Sequence, residues 1–143
     1  MDEYRGRNGA PRLRHRTRSG TLAELAIARE DHGSAAVLTL TGELDITTGA
    51  PLRDALHDLA EEGVAHHVVD LRQLRFLDST GLGILVGHHK RLAEHGGTLQ
   101  VITGPGLVGG VFRLTGVDQL IPVRDNLAAC LSDADADAGP AEG

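Results

Sequence analysis

The sequence predicts an α/β sandwich with parallel strand pairings. Between residues 22 and 131, short β-branched runs alternate with longer stretches of helical periodicity. Helices of about ten to fifteen residues are the length needed to carry one parallel strand to the next. Composition agrees, since apolar residues make up 41% and charged residues 24% of the 143, enough to bury a core. No internal repeat competes with this reading.

Leu22 to Arg29 is ambiguous by period, whereas Ala35 to Thr41 alternates as a strand does, after a turn at His32-Gly33-Ser34. A hairpin of these two would add an antiparallel element. Gly42-Glu43-Leu44-Asp45 leads into a helix that Thr47 or Thr48 can cap. Pro51 suits its first turn, Leu52, Leu56 and Leu59 repeat at helical spacing, and Glu61-Glu62-Gly63 ends it. Val68 to Leu71 reads as a short buried strand. From Ser79, a stripe of Leu82, Leu85, Val86, His89, Leu92 and Ala93 marks a second helix, stopped by Gly96-Gly97. Thr98 to Thr103 is the next strand, Leu107 to Leu114 a short helix, Leu120-Ile121 a last strand and Asp125 to Leu131 a last helix.

Flanking this body (residues 21–131), residues 1–20 hold six arginines against Asp2 and Glu3 and read as a disordered basic arm. Residues 132–143 read as a disordered acidic tail. The N-terminus is Arg-rich rather than apolar, unlike a secretory signal, and no run of about 18 apolar residues exists to span a membrane. A single cysteine, Cys130, rules out an intrachain disulfide and points to a reducing cytoplasm. The body is mildly acidic and has few aromatics, which argues against direct nucleic-acid binding.

The stretch F-L-D-S-T-G-L-G, Phe76 to Gly83, is the candidate site. Ser79 sits where a helix begins, and its hydroxyl could cap the N–H of Gly81 or Leu82. It lacks the G-x-S-x-G elbow and any evident base, so a nucleophile is disfavoured. A phosphate there would add about −1.5 to −2 charge at a helix N-terminus, beside Asp78. The residues alone leave cap and switch both open, with the cap the default. Gly104 to Gly109, G-P-G-L-V-G, has dinucleotide-fingerprint spacing, but it follows a late strand and Pro105 stiffens the turn. It is expected to be a strand-to-helix loop in which Gly109-Gly110 allow close packing. His66-His67 and His88-His89 are adjacent pairs whose members point apart, so no metal or other cofactor is assigned.

The order of these motifs resembles the STAS-domain family of anti-sigma factor antagonists, over roughly residues 22–131. V-V-D-L-R-Q-L-R-F-L-D-S-T-G-L-G-I-L-V-G (Val68 to Gly87) is similar to the family's strand, loop and helix start. L-T-G-E-L-D (Leu40 to Asp45), A-P-L-R-D-A-L (Ala50 to Leu56) and L-T-G-V-D (Leu114 to Asp118) support it. The resemblance implies a mixed sheet of four to five strands with about four helices. It implies a non-enzymatic module, phosphorylated on Ser79 by an anti-sigma factor that is an ATP-using serine kinase and reset by a PP2C-type phosphatase. The expected partner surface comprises Glu43, Asp45, Asp78, Ser79, Thr80, Gly81, Leu82 and Gly83, with Gly81 and Gly83 letting the kinase backbone approach. The alternative is a STAS module of a larger signalling assembly, or a small-ligand sensor.

Overall fold

The structure, a computed structural model, describes residues 12–16 and 22–138. One mixed sheet runs β1 (Arg12–Arg16), β2 (Leu22–His32), β3 (Ala35–Leu44), β4 (His66–Leu77), β5 (Thr98–Ile102) and β6 (Val123–Arg124), with spatial order equal to chain order. The first three strands pair antiparallel and the last four pair parallel, sharing β3. Among the described residues, four α-helices complete the sandwich: α1 (Gly49–Glu61), α2 (Ser79–Ala93), α3 (Leu107–Thr115) and α4 (Leu127–Ala138). The α/β class, the mixed sheet and the helix count are those expected.

The two faces of the sheet follow the period of two along each strand. On one face Ala36, Leu38, Leu40, Val69 and Leu71 meet Leu52, Leu56 and Leu59 of α1, Leu85 and Leu92 of α2 and Phe112 of α3 in the main core. On the other, Val37, Val68 and Ile102 meet Cys130, with Leu127 of α4 against them. The ambiguous Leu22 to Arg29 resolves as strand because Leu25 and Ile27 enter the main core while Arg29 is buried for another purpose. Its guanidinium donates to both Glu62 oxygens, at 2.9 and 2.8 Å, joining β2 to the end of α1.

Several boundaries differ from expectation. Arg12–Arg16 lies inside the arm expected to be disordered, yet pairs antiparallel with β2, Leu13 opposite Leu25. Backbone pairing needs no apolar side chains, so composition does not reveal it. Residues 1–11 and 17–21 lie outside the described residues. The acidic tail also contributes: α4 continues to Ala138, where Ala134, Ala136 and Ala138 favour helix. Residues 139–143 lie outside the described residues.

β4 is far longer than the four-residue strand read from Val68 to Leu71. It follows β3 to Leu77 through register shifts near Thr41 and Glu43, and those irregularities break the alternation that sequence reading relies on. The last strand falls at Val123–Arg124 rather than Leu120-Ile121. A 3₁₀ turn at Val117–Gln119 uses up the intervening chain, and pairing resumes where Val101 N–H donates to Pro122 O.

Candidate functional site

Two loops leave the C-terminal ends of neighbouring parallel strands. β3 ends at Leu44 and β4 at Leu77, which are register partners, and Asp78 N–H donates to Leu44 O at 3.3 Å. The loop starting at Asp45 and the helix start at Asp78 are thereby tied side by side.

Each loop is organised by its own aspartate. Asp45, 8% exposed, accepts from the N–H and hydroxyl of Thr47 at 2.8 and 2.7 Å. Thr48 Oγ1 donates to Glu43 O and accepts from Asp45 N–H, closing the turn into α1. Thr48 occupies the N-cap position, but its hydroxyl serves this turn rather than the helix N–H groups. In the second loop Asp78 Oδ1 accepts from the N–H groups of Thr80 and Gly81 at 2.9 and 3.2 Å. Asp78 is therefore the N-cap of α2, and Ser79 is its first helical residue. This corrects the expectation that Ser79 caps: a carboxylate one residue earlier takes the first-turn N–H groups of Thr80 and Gly81, with charge matched to the helix dipole.

Ser79 is left exposed, and its hydroxyl has no hydrogen-bond partner among the described residues. Thr80 is half-buried, its methyl turned towards Gly49 of α1.

A family profile described as "Mlab, STAS domain" matches residues 27–122. The chain belongs to the STAS domain family. An anti-sigma F factor antagonist of Paenibacillus polymyxa is 29% identical over 110 residues, 76% of this chain and 94% of the relative. An anti-sigma-B factor antagonist of Staphylococcus aureus is 32% identical over 84 residues, 59% of this chain and 78% of the relative. Among solved structures, an anti-sigma factor antagonist from Mycobacterium paratuberculosis matches with a TM-score of 0.71 at 28% identity, over 76% of this chain and 92% of its own.

Within this STAS domain the expected surface residues divide. Glu43, Ser79 and Gly83 reach solvent, with Glu43 paired to the exposed Arg75 at 3.4 Å. Asp45 is buried and Leu82 nearly so. Gly81 is buried too: a Cβ there would lie 2.5 Å from Leu77 Cδ1 and 2.8 Å from Leu44 Cδ2. Its missing side chain seats α2 on the two strand ends, rather than admitting a partner's backbone as expected. Gly83 does face open space.

Two apolar neighbours of the site escaped the sequence reading. Ile46, in the Asp45 loop, is 64% exposed, and Phe76, opposite Glu43 in the register, is 48% exposed. Their only signal was an apolar side chain beside a polar loop.

The other motifs are placed as follows. Gly109 packs against Gly104 O and Thr103 Oγ1, at 3.0 and 3.2 Å from where a Cβ would stand, so it serves helix seating; Gly110 faces only the flexible end of Arg113. Asp70 lies inside β4 and holds Arg72 through two guanidinium contacts, at 3.0 and 2.7 Å. On α2 the core-facing histidine is His88, 3% exposed, not His89. The members of each His pair do point apart, but His67 Nδ1 and His88 Nε2 meet at 2.9 Å. No group of three or more His, Cys, Asp or Glu side chains among the described residues is arranged to hold a metal. No helix among them is long and apolar enough to cross a membrane.

Asp78→Ala is expected to cost about 1 kcal/mol by removing the cap. That corresponds to a fall in Tm of roughly 3–5 °C. Asp78→Ser should restore most of it, because a hydroxyl also caps. Equal Tm values for wild type and Asp78→Ala would show that the two N–H bonds carry no stability.

Proposed function

We propose that this STAS domain is a non-enzymatic anti-sigma factor antagonist of the cytoplasm. Its unphosphorylated form binds an anti-sigma factor with ATP-dependent serine kinase activity and so releases a sigma factor. Phosphate on Ser79 switches that binding off, and a PP2C-type phosphatase restores it. The observation that carries this reading is the exposed hydroxyl of Ser79 at the start of α2, without a hydrogen-bond partner among the described residues and beside a surface containing Ile46, Phe76 and Glu43.

The physical case for a switch rests on what already occupies the helix N-terminus. Asp78 accepts from Thr80 and Gly81, so a phosphate on Ser79 finds two of the first-turn N–H groups taken. The added charge of about −1.5 to −2 stands next to a carboxylate and is presented outwards. The fold tolerates it because Ser79 is exposed, while a partner surface fitted to a neutral hydroxyl does not. Ile46 and Phe76 supply the apolar contact such a partner would bury.

Ser79→Ala is expected to bind its anti-sigma kinase whether or not ATP is present. Ser79→Asp should bind about 100-fold more weakly, the scale for burying an unmatched charge. Titration calorimetry with candidate kinases measures both, and mass spectrometry after incubation with ATP locates the phosphate. Phosphate on another residue, or equal affinities for the two variants, overturns the reading.

A further inference from the structure

At the far end of the α1–α2 pair from Ser79 lies a groove of about 680 Å³, walled by the two helices and by the turns after Gly63 and Gly96. We propose that this groove binds a small, soluble, hydroxylated phosphomonoester. The proposal does not rest on the antagonist reading.

The first observation concerns the cations. Arg53 of α1 and Arg91 of α2 both line the groove. Neither has an ion-pair partner among the described residues, unlike Arg29, Arg72 and Arg75. Two guanidiniums facing one space from different helices suit a single oxyanion that both can approach.

The second is a buried polar group. His67 Nε2 lies 2.8 Å from Val64 O, a carbonyl that can only accept, so Nε2 carries the proton and Nδ1 is a lone pair. His88 Nε2 must then donate across the 2.9 Å contact, leaving His88 Nδ1 as an acceptor. That atom has no protein partner among the described residues, yet is not sealed from solvent as His89 Nδ1 is. His88 lines the groove with a side chain only 3% exposed, and the proposal places its free lone pair there. Burial, with Coulombic contributions from His67, Arg91 and His57, pushes the His88 pKa down to about 4, so the lone pair persists at neutral pH.

The third observation sets the ligand's chemistry. Asp54 and Glu61 also line the groove and offset the two arginines, so a bare anion gains little net attraction. A ligand that brings hydroxyl donors for His88 and Asp54 together with an oxyanion for Arg53 and Arg91 matches these four groups, Glu61 already lying 3.7 Å from His57. A polyol carrying one phosphate has this chemistry, and the groove volume falls within the usual range of about 300–1,000 Å³ for small-molecule sites.

The test uses the full chain, ¹⁵N-labelled, with histidine ring nitrogens followed by NMR during titration with glycerol 3-phosphate. The His88 Nδ1 resonance should shift saturably. Arg53→Gln and Arg91→Gln should each weaken binding about tenfold, the worth of one charge-assisted contact. Both side chains are exposed, so these variants should keep the wild-type Tm. Sulfate, which offers no hydroxyl, should bind at least tenfold more weakly. A His88 signal indifferent to glycerol 3-phosphate, equal responses to sulfate and glycerol 3-phosphate, or undiminished binding by both arginine variants would each overturn the proposal. So would sedimentation with phosphatidylglycerol vesicles combined with no response to glycerol 3-phosphate, which would assign the groove to a membrane headgroup.

Discussion

Gly42→Ala is expected to cost roughly 4 kcal/mol and to lower Tm by more than about 10 °C. Gly42 has a φ of +113°, a conformation that L side chains rarely adopt, and a Cβ there would stand 2.2 Å from Glu24 O. The residue sits opposite Leu25 in the β2–β3 ladder, where the neighbouring strand cannot retreat without breaking that pairing. Strain of about 1–3 kcal/mol therefore combines with an overpacking cost of similar size. Gly83→Ala supplies the contrast, because a Cβ there meets nothing within 4 Å inside a regular helix. It should stabilise by up to about 1 kcal/mol. Chemical denaturation of both variants tests the pair, and a Gly42→Ala protein as stable as wild type would mean that β2 does not approach β3 as described.

Acidification below pH 6.5 is expected to remove about 3 kcal/mol of stability through His88, complete near pH 4. Burial lowers the His88 pKa from 6.5 to about 4, because a charge there would lose its hydration and face His67, Arg91 and His57. The unfolded chain takes up its proton near pH 6.5, before the folded chain does. Falling pH therefore favours unfolding across this window and stops doing so once both forms are protonated. His67 is shifted in the same direction, chiefly by burial, and adds to the effect. Arg29 and His66 near His67, and Arg91 and His57 near His88, disfavour charge on the pair as well. His88→Gln keeps an amide donor for His67 and should flatten the dependence between pH 7.5 and 5. Denaturant midpoints at the two pH values decide it: an equal loss in wild type and variant would place the acid sensitivity elsewhere.

The elements most legible in the sequence are those whose side chains report their surroundings directly. Leu52, Leu56 and Leu59 mark α1 because all three point into one core. The Phe76 to Gly83 stretch was legible as a candidate site through its local chemistry and its motif context. What stayed hidden depends on backbone geometry or on partners distant in sequence. Asp78 outcompetes Ser79 for the cap because its carboxylate reaches two N–H groups at once, which spacing alone does not rank. β4 reaches Leu77 through irregular pairing that blurs its alternation. The His67–His88 contact joins residues 21 positions apart, and no local pattern announces it.

The strand order carries a consequence for how the chain finds this structure. Every strand lies beside the one made just before it, from β1 to β6, and none must be inserted between two already in place. Long-range loop closure is thus met in small instalments, each crossover adding one helix and one strand to an existing edge. The sheet can grow by accretion in the direction of synthesis, with the β2–β3 hairpin as a self-contained beginning and Leu25, Ile27, Leu38 and Leu40 already presenting part of the future core face. The Ser79 helix start joins only when β4 docks on β3, so a chain stalled before that step would present the hairpin without the switch.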